Sequence, residues 1–211
     1  MQFENCLAGS RFQTSIYHKA MESHPDTQLI VFPELAVTGY QCGENFKDLA
    51  ETATIDSTSI KKMSALAKEF HVHIVYGMAE KEEDILYNSQ FFLDDTGVLL
   101  GTYRKVHLFD FEKNYFTPGD QFKVFDTKIG RIGLFICYDA FFPEAARSLA
   151  IQGVDLFGHT RILDPLGRIL ASINDEKDGI IHASLDYDIA KQMKHDYYTM
   201  LTERRPDVYI A

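Results

Sequence analysis

The segment IGLFICYDAFFPE (residues 132–144) decides the fold prediction, because it leads from an apolar run through a cysteine into a helix-start pattern. Residues 132–136 are apolar or glycine, which is typical of a buried strand. A helix is predicted to begin at Pro143 and to reach about Gln152. The segment therefore predicts a strand, a sharp turn and a helix, with Cys137 at the turn.

Cys137 is a candidate nucleophile because of this position. Unpaired amides at a helix N-terminus carry partial positive charge, which favours the thiolate and lowers the pKa of a nearby thiol. An inert core residue is the alternative, since free cysteine is among the most buried side chains. A pair with His107 or His159, as in cysteine proteases, is a looser alternative. Other parts of the chain have to decide between these interpretations.

The rest of the sequence alternates between helical and strand patterns. The predicted helices cover residues 12–23, 56–70 and 143–152. The predicted strands cover residues 28–32, 72–78, 89–93, 98–103, 122–125, 132–136, 160–163 and 168–170. An Asp/Gly-rich turn at 94–97 predicts a hairpin. Strands mixed with helices, without a repeat or a linker, predict a single α/β domain over residues 1–211.

Composition excludes several classes of function. The 211 residues are 45% hydrophobic and 25% charged, which suits one globular domain with a substantial core. A formal charge of -10 argues against nucleic acid as the main partner. No run approaches the roughly 20 apolar residues of a membrane helix. The N-terminus also lacks a basic region followed by an apolar stretch, so we expect a cytoplasmic protein without a membrane partner.

Three reactive residues each follow an apolar, strand-like run: Glu34, Lys105 and Cys137. In open α/β sheets, functional sites gather at the carboxyl ends of strands. A thiol that attacks a carbonyl or nitrile carbon needs a base, donors for the developing oxyanion, and an acid for the departing nitrogen. A carboxylate, an ammonium and a cysteine supply this set.

Three blocks of the sequence carry a family resemblance: VFPEL (31–35) with TGY (38–40), YRKVHLF (103–109), and ICYD (136–139) with FPE (142–144). In order and spacing they resemble the signature blocks of the nitrilase, or carbon-nitrogen hydrolase, superfamily. The resemblance spans nearly the whole chain. It implies an α/β fold of the nitrilase-like α-β-β-α sandwich type, and a hydrolase that needs no cofactor.

The resemblance also implies a role for each matching residue. Glu34 would be the general base, Lys105 would stabilise the tetrahedral intermediate, and Cys137 would form the acyl-enzyme. The backbone N–H of Tyr138 would help to hold the oxyanion. Glu112 falls where the family carries a second glutamate that positions lysine and substrate, and its alternative is a solvated loop carboxylate.

Residues expected to bind substrate are Tyr40, Tyr138 and Glu144. Glu144 has an equal alternative, a first-turn glutamate stabilised by the helix dipole. No metal site is predicted, because His71 and His73, expected on one strand face, lack a third ligand at suitable spacing. The predicted partners are a small amide-type substrate and, as the resemblance implies, other copies of the chain in a homodimer or higher homo-oligomer.

One departure from the family is expected after Phe157. Residues 153–157 run directly into the hairpin that begins near Gly158, where family members usually carry a long block. The missing block would include a substrate loop and a helix that makes partner contacts. Two hypotheses follow: a hydrolase of amides, ω-amides, N-carbamoyl compounds or nitriles, or a non-catalytic family remnant that binds a partner or ligand. A nitrilase proper is the further alternative.

Overall fold

A computed structural model gives the fold of the chain. The residues that it describes are 17–154, 156–157, 161–163, 169–172, 180–186, 188–189 and 192. The predicted helix 12–23 falls partly outside this set, and its described part, α1 (17–23), is helical. The other helices are α2 (Phe46–Leu49), α3 (Thr58–Phe70) and α4 (Pro143–Ile151). Short 3-10 helices cover Gly43–Asn45, Asp110–Asn114 and Cys137–Phe141.

Four strands form the first sheet, in the order β1-β2-β3-β4. They are β1 (Leu29–Val31), β2 (His73–Glu82), β3 (Ile85–Leu93) and β4 (Leu99–Arg104). The pair β1–β2 is parallel, and β2–β3 and β3–β4 are antiparallel. The predicted hairpin is therefore confirmed as β3 and β4, joined across residues 94–98.

A second sheet and a hairpin contain the remaining strands. The sheet consists of β5 (Val124–Thr127), β6 (Gly130–Gly133) and β7 (Leu156–Phe157), and the hairpin of β8 (Arg161–Leu163) and β9 (Ile169–Ser172). β6 is antiparallel to β5 and parallel to β7. The predicted strand 132–136 is displaced toward the N-terminus, because β6 begins at Gly130 and its pairing ends at Gly133.

Helices cover one face of the first sheet. Alternate residues of β2 point toward them, as the two-residue period of a strand requires. The buried cluster on this face includes Ile74, Tyr76 and Met78 of β2, and Tyr17, Ile60 and Met63 of α1 and α3. Residues 73–80 of β2 are all buried, so this strand is covered on both faces.

The second sheet covers the opposite face of the first. Val75 and Phe92 share a buried cluster with Phe125 and Ile132, and the rings of Phe92 and Phe125 lie 5.3 Å apart. α4 packs on the outer side of the second sheet, where a Cβ on Gly133 would lie 2.8 Å from a Leu149 methyl group. The layers run helix, sheet, sheet, helix, which confirms the predicted α-β-β-α sandwich.

The expectation that His71 and His73 share a strand face is wrong. His71 ends α3 in a left-handed conformation with φ 54°, and only His73 lies on β2, where it is buried. A left-handed residue is a common way to end a helix. None of the helices in the described part of the chain is long and apolar enough to cross a membrane.

Candidate active site

Glu34 lies in a tight loop that leaves β1 and packs against β2. Phe32 N–H donates to the carbonyl of Val75, and the loop continues through Leu35, which has a positive φ of 49°. A Cβ on Gly77 would lie 2.5 Å from Leu35 N, so only glycine allows this close approach. The loop thus holds the Glu34 carboxylate over the end of the sheet, with the side chain 13% exposed.

Lys105 follows β4 directly and is almost fully buried, with 1% of its surface exposed. Its ammonium donates to Glu34 Oε1 at 2.5 Å and to Glu112 Oε2 at 2.7 Å. One buried cation therefore lies between two carboxylates. The structure brings together these three residues that the sequence had singled out.

Glu112 lies in the 3-10 helix Asp110–Asn114 and is fully buried. Phe109 N–H donates to its Oε2 at 2.6 Å, in addition to the two hydrogen bonds from Lys105. Asn88 donates to its Oε1, also at 2.6 Å. The alternative of a solvated loop carboxylate does not fit these contacts.

Cys137 begins a 3-10 helix with a positive φ of 41°, and it is exposed. Such a backbone conformation is strained for a residue with a side chain. The predicted turn is thus confirmed, and the longer helix α4 begins at Pro143, as predicted. Cys137 is held at the surface by the packing of the turn that follows it.

Asp139 fixes this turn through a fully buried carboxylate that the sequence analysis did not single out. Its oxygens accept hydrogen bonds from Ile136 N–H at 3.0 Å and from the Tyr103 hydroxyl at 2.6 Å. They also accept from the backbone N–H of His107 at 2.8 Å, and the imidazole Nδ1 of His107 lies 2.8 Å away. Tyr103 and His107 flank Lys105, so Asp139 connects the cysteine turn to the lysine segment.

The charges around the site set the protonation of its groups. Burial raises the pKa of Glu34 above its ordinary value, although the hydrogen bond from Lys105 opposes the rise. Burial by itself would lower the pKa of Lys105, but its hydrogen bonds to Glu112 and Glu34 outweigh this and raise it. The Lys105 side chain therefore stays protonated, and Glu34 is a stronger base than a solvated glutamate.

The cysteine thiol differs from the sequence expectation. Although Cys137 is exposed, the protein removes part of the water around its sulfur, and this loss of hydration raises the thiol pKa. The negative charge of Glu34 and its hydrogen bond with the thiol raise it further, while Lys105 lowers it. The expectation of a lowered pKa was therefore wrong, because it considered helix amides and neither the loss of hydration nor the nearby carboxylate.

Tyr40 and Tyr138 lie around this cluster. Burial, and after it the charges of Glu34, Glu112 and Cys137, raise the pKa of the Tyr40 phenol, so Tyr40 lies near the cluster. Tyr138 packs edge-on against the Phe109 ring at 5.1 Å. Glu144 lies in the first turn of α4 and is exposed, in agreement with its helix-dipole alternative. Substrate binding by these three residues stays a prediction.

Replacing Asp139 with asparagine tests the connection between the cysteine turn and the lysine segment. The amide nitrogen of asparagine would face buried donors such as the Tyr103 hydroxyl or Ile136 N–H. We expect a loss of about 2–3 kcal/mol in the free energy of unfolding, measured by urea denaturation, and slower alkylation of Cys137 by iodoacetamide. Asp126→Asn, which removes one exposed partner of Arg131, is the control and should cost less than about 1 kcal/mol. Equal losses in the two variants would contradict the role of Asp139.

Among the described residues there is no group of three or more histidine, cysteine or acidic side chains that could hold a metal ion. The cluster instead consists of an exposed thiol beside a buried ammonium and two carboxylates. This arrangement, in a two-sheet α/β sandwich, places a thiol, a carboxylate and a cation together, the groups that a cysteine-dependent hydrolase would need.

Comparison with known proteins identifies the family. The carbon-nitrogen hydrolase family model matches residues 13–157. The chain therefore belongs to the carbon-nitrogen hydrolase family, within the nitrilase superfamily, and its relatives are named nitrilases and amidases.

Two relatives and one solved structure illustrate this membership. A Schizosaccharomyces pombe protein named "Probable nitrilase" is 38% identical, covering 93% of this chain and 89% of its own length. N-carbamoylputrescine amidase of Solanum tuberosum is 28% identical, covering 86% of this chain and 82% of its own length. A carbon-nitrogen hydrolase from Helicobacter pylori superimposes with a TM-score of 0.83 and 25% identity, covering 96% of this chain and 92% of its own.

The alignments also support the expected internal gap. The alignment with the fission yeast relative extends over 243 positions, more than the 211 residues of this chain. The relative therefore has residues inside the aligned region that this chain lacks. The family match ends at Phe157, which is the position where the sequence analysis expected the missing block.

Proposed function

We propose that this protein hydrolyses a small amide, ω-amide or N-carbamoyl substrate and releases ammonia. The observation that carries the proposal is the position of the Lys105 ammonium, which lies 2.5 Å from Glu34 and 2.7 Å from Glu112, near the Cys137 thiol on which the charges of Glu34 and Lys105 both act. Amidases among the relatives support an amide over a nitrile. A nitrile is the second candidate, since other relatives are named nitrilases.

In the first half-reaction, Glu34 takes the thiol proton and the sulfur of Cys137 attacks the carbonyl carbon. Lys105 and the backbone N–H of Tyr138 stabilise the oxyanion that forms. The carbon–nitrogen bond then breaks, Glu34 gives its proton to the departing nitrogen, and ammonia leaves. A thioester on Cys137 remains.

In the second half-reaction, Glu34 takes a proton from water as the water oxygen attacks the thioester carbon. The carbon–sulfur bond breaks, the acid leaves, and the proton on Glu34 returns to the sulfur. Because the thiol pKa is raised, the resting thiol keeps the proton that Glu34 removes in the first half-reaction.

Ammonia release from a panel of amides, ω-amides, N-carbamoyl compounds and nitriles tests the proposal. We expect release from at least one amide-type class and an acyl adduct on Cys137 by intact mass. Failure of every class, together with the absence of an adduct, would favour the alternative of a non-catalytic remnant, which the missing internal block supports.

The pH dependence of kcat/KM gives a separate prediction. Glu34 must be ionised to accept the thiol proton, so activity should rise as pH rises through its pKa. Since burial raises that pKa, the acid limb should have its midpoint above about pH 4.3, the ordinary glutamate value. A midpoint at or below that value would contradict Glu34 as the base in this environment.

A further inference from the structure

Asn88 on β3 contacts all three charged residues of the cluster. Its amide nitrogen donates to Glu34 Oε1 and to Glu112 Oε1, each at 2.6 Å. Its backbone carbonyl accepts from the N–H of Lys105 at 2.8 Å. With 1% of its surface exposed, Asn88 is as buried as the lysine. One neutral side chain therefore joins the two carboxylates.

The cluster carries more negative than positive charge. Two carboxylates share the ammonium of Lys105, and the charge of Glu112 disfavours ionisation of Glu34. The two N–H groups of the Asn88 amide reduce the repulsion between the carboxylates, and the amide does not itself titrate. Such donors to ionised groups are stronger than hydrogen bonds between neutral groups.

The orientation of the amide is set by the carboxylates. Asn88 Oδ1 is buried and has no hydrogen-bond partner among the described residues. The opposite orientation would place this oxygen against two carboxylate oxygens. An unpaired buried carbonyl is unfavourable, so the two donated hydrogen bonds have to outweigh it.

We propose that Asn88 is a positioning residue that holds the Glu34 and Glu112 carboxylates around Lys105 and favours the ionised form of Glu34, so that Glu34 can take the thiol proton at neutral pH. This inference rests on the proposed function of Glu34 as the base. Burial raises the pKa of Glu34, and the hydrogen bond from Asn88 acts in the opposite direction. Loss of the amide should therefore move the ionisation of Glu34 to higher pH.

The test measures alkylation of Cys137 by iodoacetamide, followed by intact mass, between about pH 4 and pH 9. In the natural protein the rate should show a lower inflection where Glu34 ionises and begins to accept the thiol proton. In Asn88→Leu, which has similar size but no donor, this inflection should move up by about one pH unit. Below the inflection, Asn88→Leu should then be alkylated about tenfold more slowly than the natural protein, and above it the two rates should be equal.

Ser89→Ala is the matched control. Ser89 is the next residue on β3, and its hydroxyl donates to Glu80, outside the cluster. We expect its inflection to coincide with that of the natural protein. Asn88→Asp, which adds a third carboxylate, should move the inflection further than Asn88→Leu.

An Asn88→Leu rate that is lowered equally at every pH, with an unmoved inflection, would overturn the proposal and leave Asn88 a structural residue. If Asn88→Leu does not fold, Asn88→Asp takes its place in the test. If neither variant folds, the proposal is overturned as well. Glu34→Gln separates the two proposals. If the natural protein lacks the lower inflection, or Glu34→Gln retains it, the proposed function fails and not only the role of Asn88.

Discussion

Replacement of Cys137 with alanine should abolish ammonia release, with a loss of at least about 10⁴-fold in kcat. No other group in the described site can form the acyl intermediate, since Glu34, Lys105 and Glu112 are engaged with one another. The acyl adduct that we expect by intact mass should be absent from this variant. The loss should come from the chemistry alone, because Cys137 is exposed and contributes little to the core.

Cys137→Gly separates this chemistry from backbone strain. The residue has a φ of 41°, which glycine adopts without strain and alanine does not. We expect the glycine variant to be more stable than the alanine variant by about 0.5–1 kcal/mol in urea denaturation. Both should be equally inactive. Hydrolysis that survives in either variant would refute a covalent mechanism at this residue.

Local pattern was sufficient to predict where three of the candidate site residues lie in the fold. Glu34, Lys105 and Cys137 each follow an apolar run, and strands of the two sheets do end beside them. Because strand ends meet at one edge of a sheet, these positions could be inferred before any distance was known. The layered fold follows from the same alternation of patterns.

Asn88 and Asp139 could not be found in this way. The contact of Asn88 with the cluster depends on strand register, since Ala79 of β2 lies opposite it and Lys105 follows the neighbouring strand. Asp139 is an ordinary polar turn residue in the sequence, yet it is fully buried. Its role depends on the packing of Tyr103 and His107 from a distant segment. Register and packing are set by tertiary structure, not by local pattern.

The direction of the thiol pKa shows the same limit. The sequence places helix amides next to Cys137 in the chain, and this local argument predicts a lowered pKa. Glu34 is 103 positions away in sequence, but its charge and hydrogen bond act on the thiol in the folded protein. The raised thiol pKa suits a mechanism in which the base and the nucleophile exchange one proton.

Lys105→Met should both destabilise the protein and impair catalysis. Methionine preserves much of the volume of lysine, but two carboxylates, one fully buried and one 13% exposed, would lose their cation. Removing one partner of a buried ion pair costs about 3–5 kcal/mol. Loss of oxyanion stabilisation should lower kcat by about 10²–10³-fold. Urea denaturation and ammonia release measure the two effects.

Lys128→Met is the control for the loss of a positive charge. Lys128 pairs with Asp95 at 2.6 Å, but its side chain is 67% exposed, so solvent screens the pair. We expect the free energy of unfolding to change by about 0–1 kcal/mol and kcat to stay unaltered. A similar loss of stability in both variants would mean that the buried cluster contributes no more than a surface ion pair.

The pH dependence of stability distinguishes lost charge pairing from lost packing. Without Lys105, the carboxyl group of Glu34 should ionise only at a pKa raised still further above the unfolded value of about 4.3, because burial raises this pKa and Lys105 opposes the rise. The folded variant then binds more protons than the unfolded chain, so its stability should rise as pH falls from 7 toward 5. The loss in free energy of unfolding, relative to the natural protein, should therefore become smaller over this range. Adding Glu112→Gln to Lys105→Met should restore part of that loss at pH 7. Only the charge of the lysine is coupled to proton binding. If the loss in free energy of unfolding is the same at pH 5 and pH 7 and is unaffected by Glu112→Gln, the lysine stabilises the protein through its packed carbon chain.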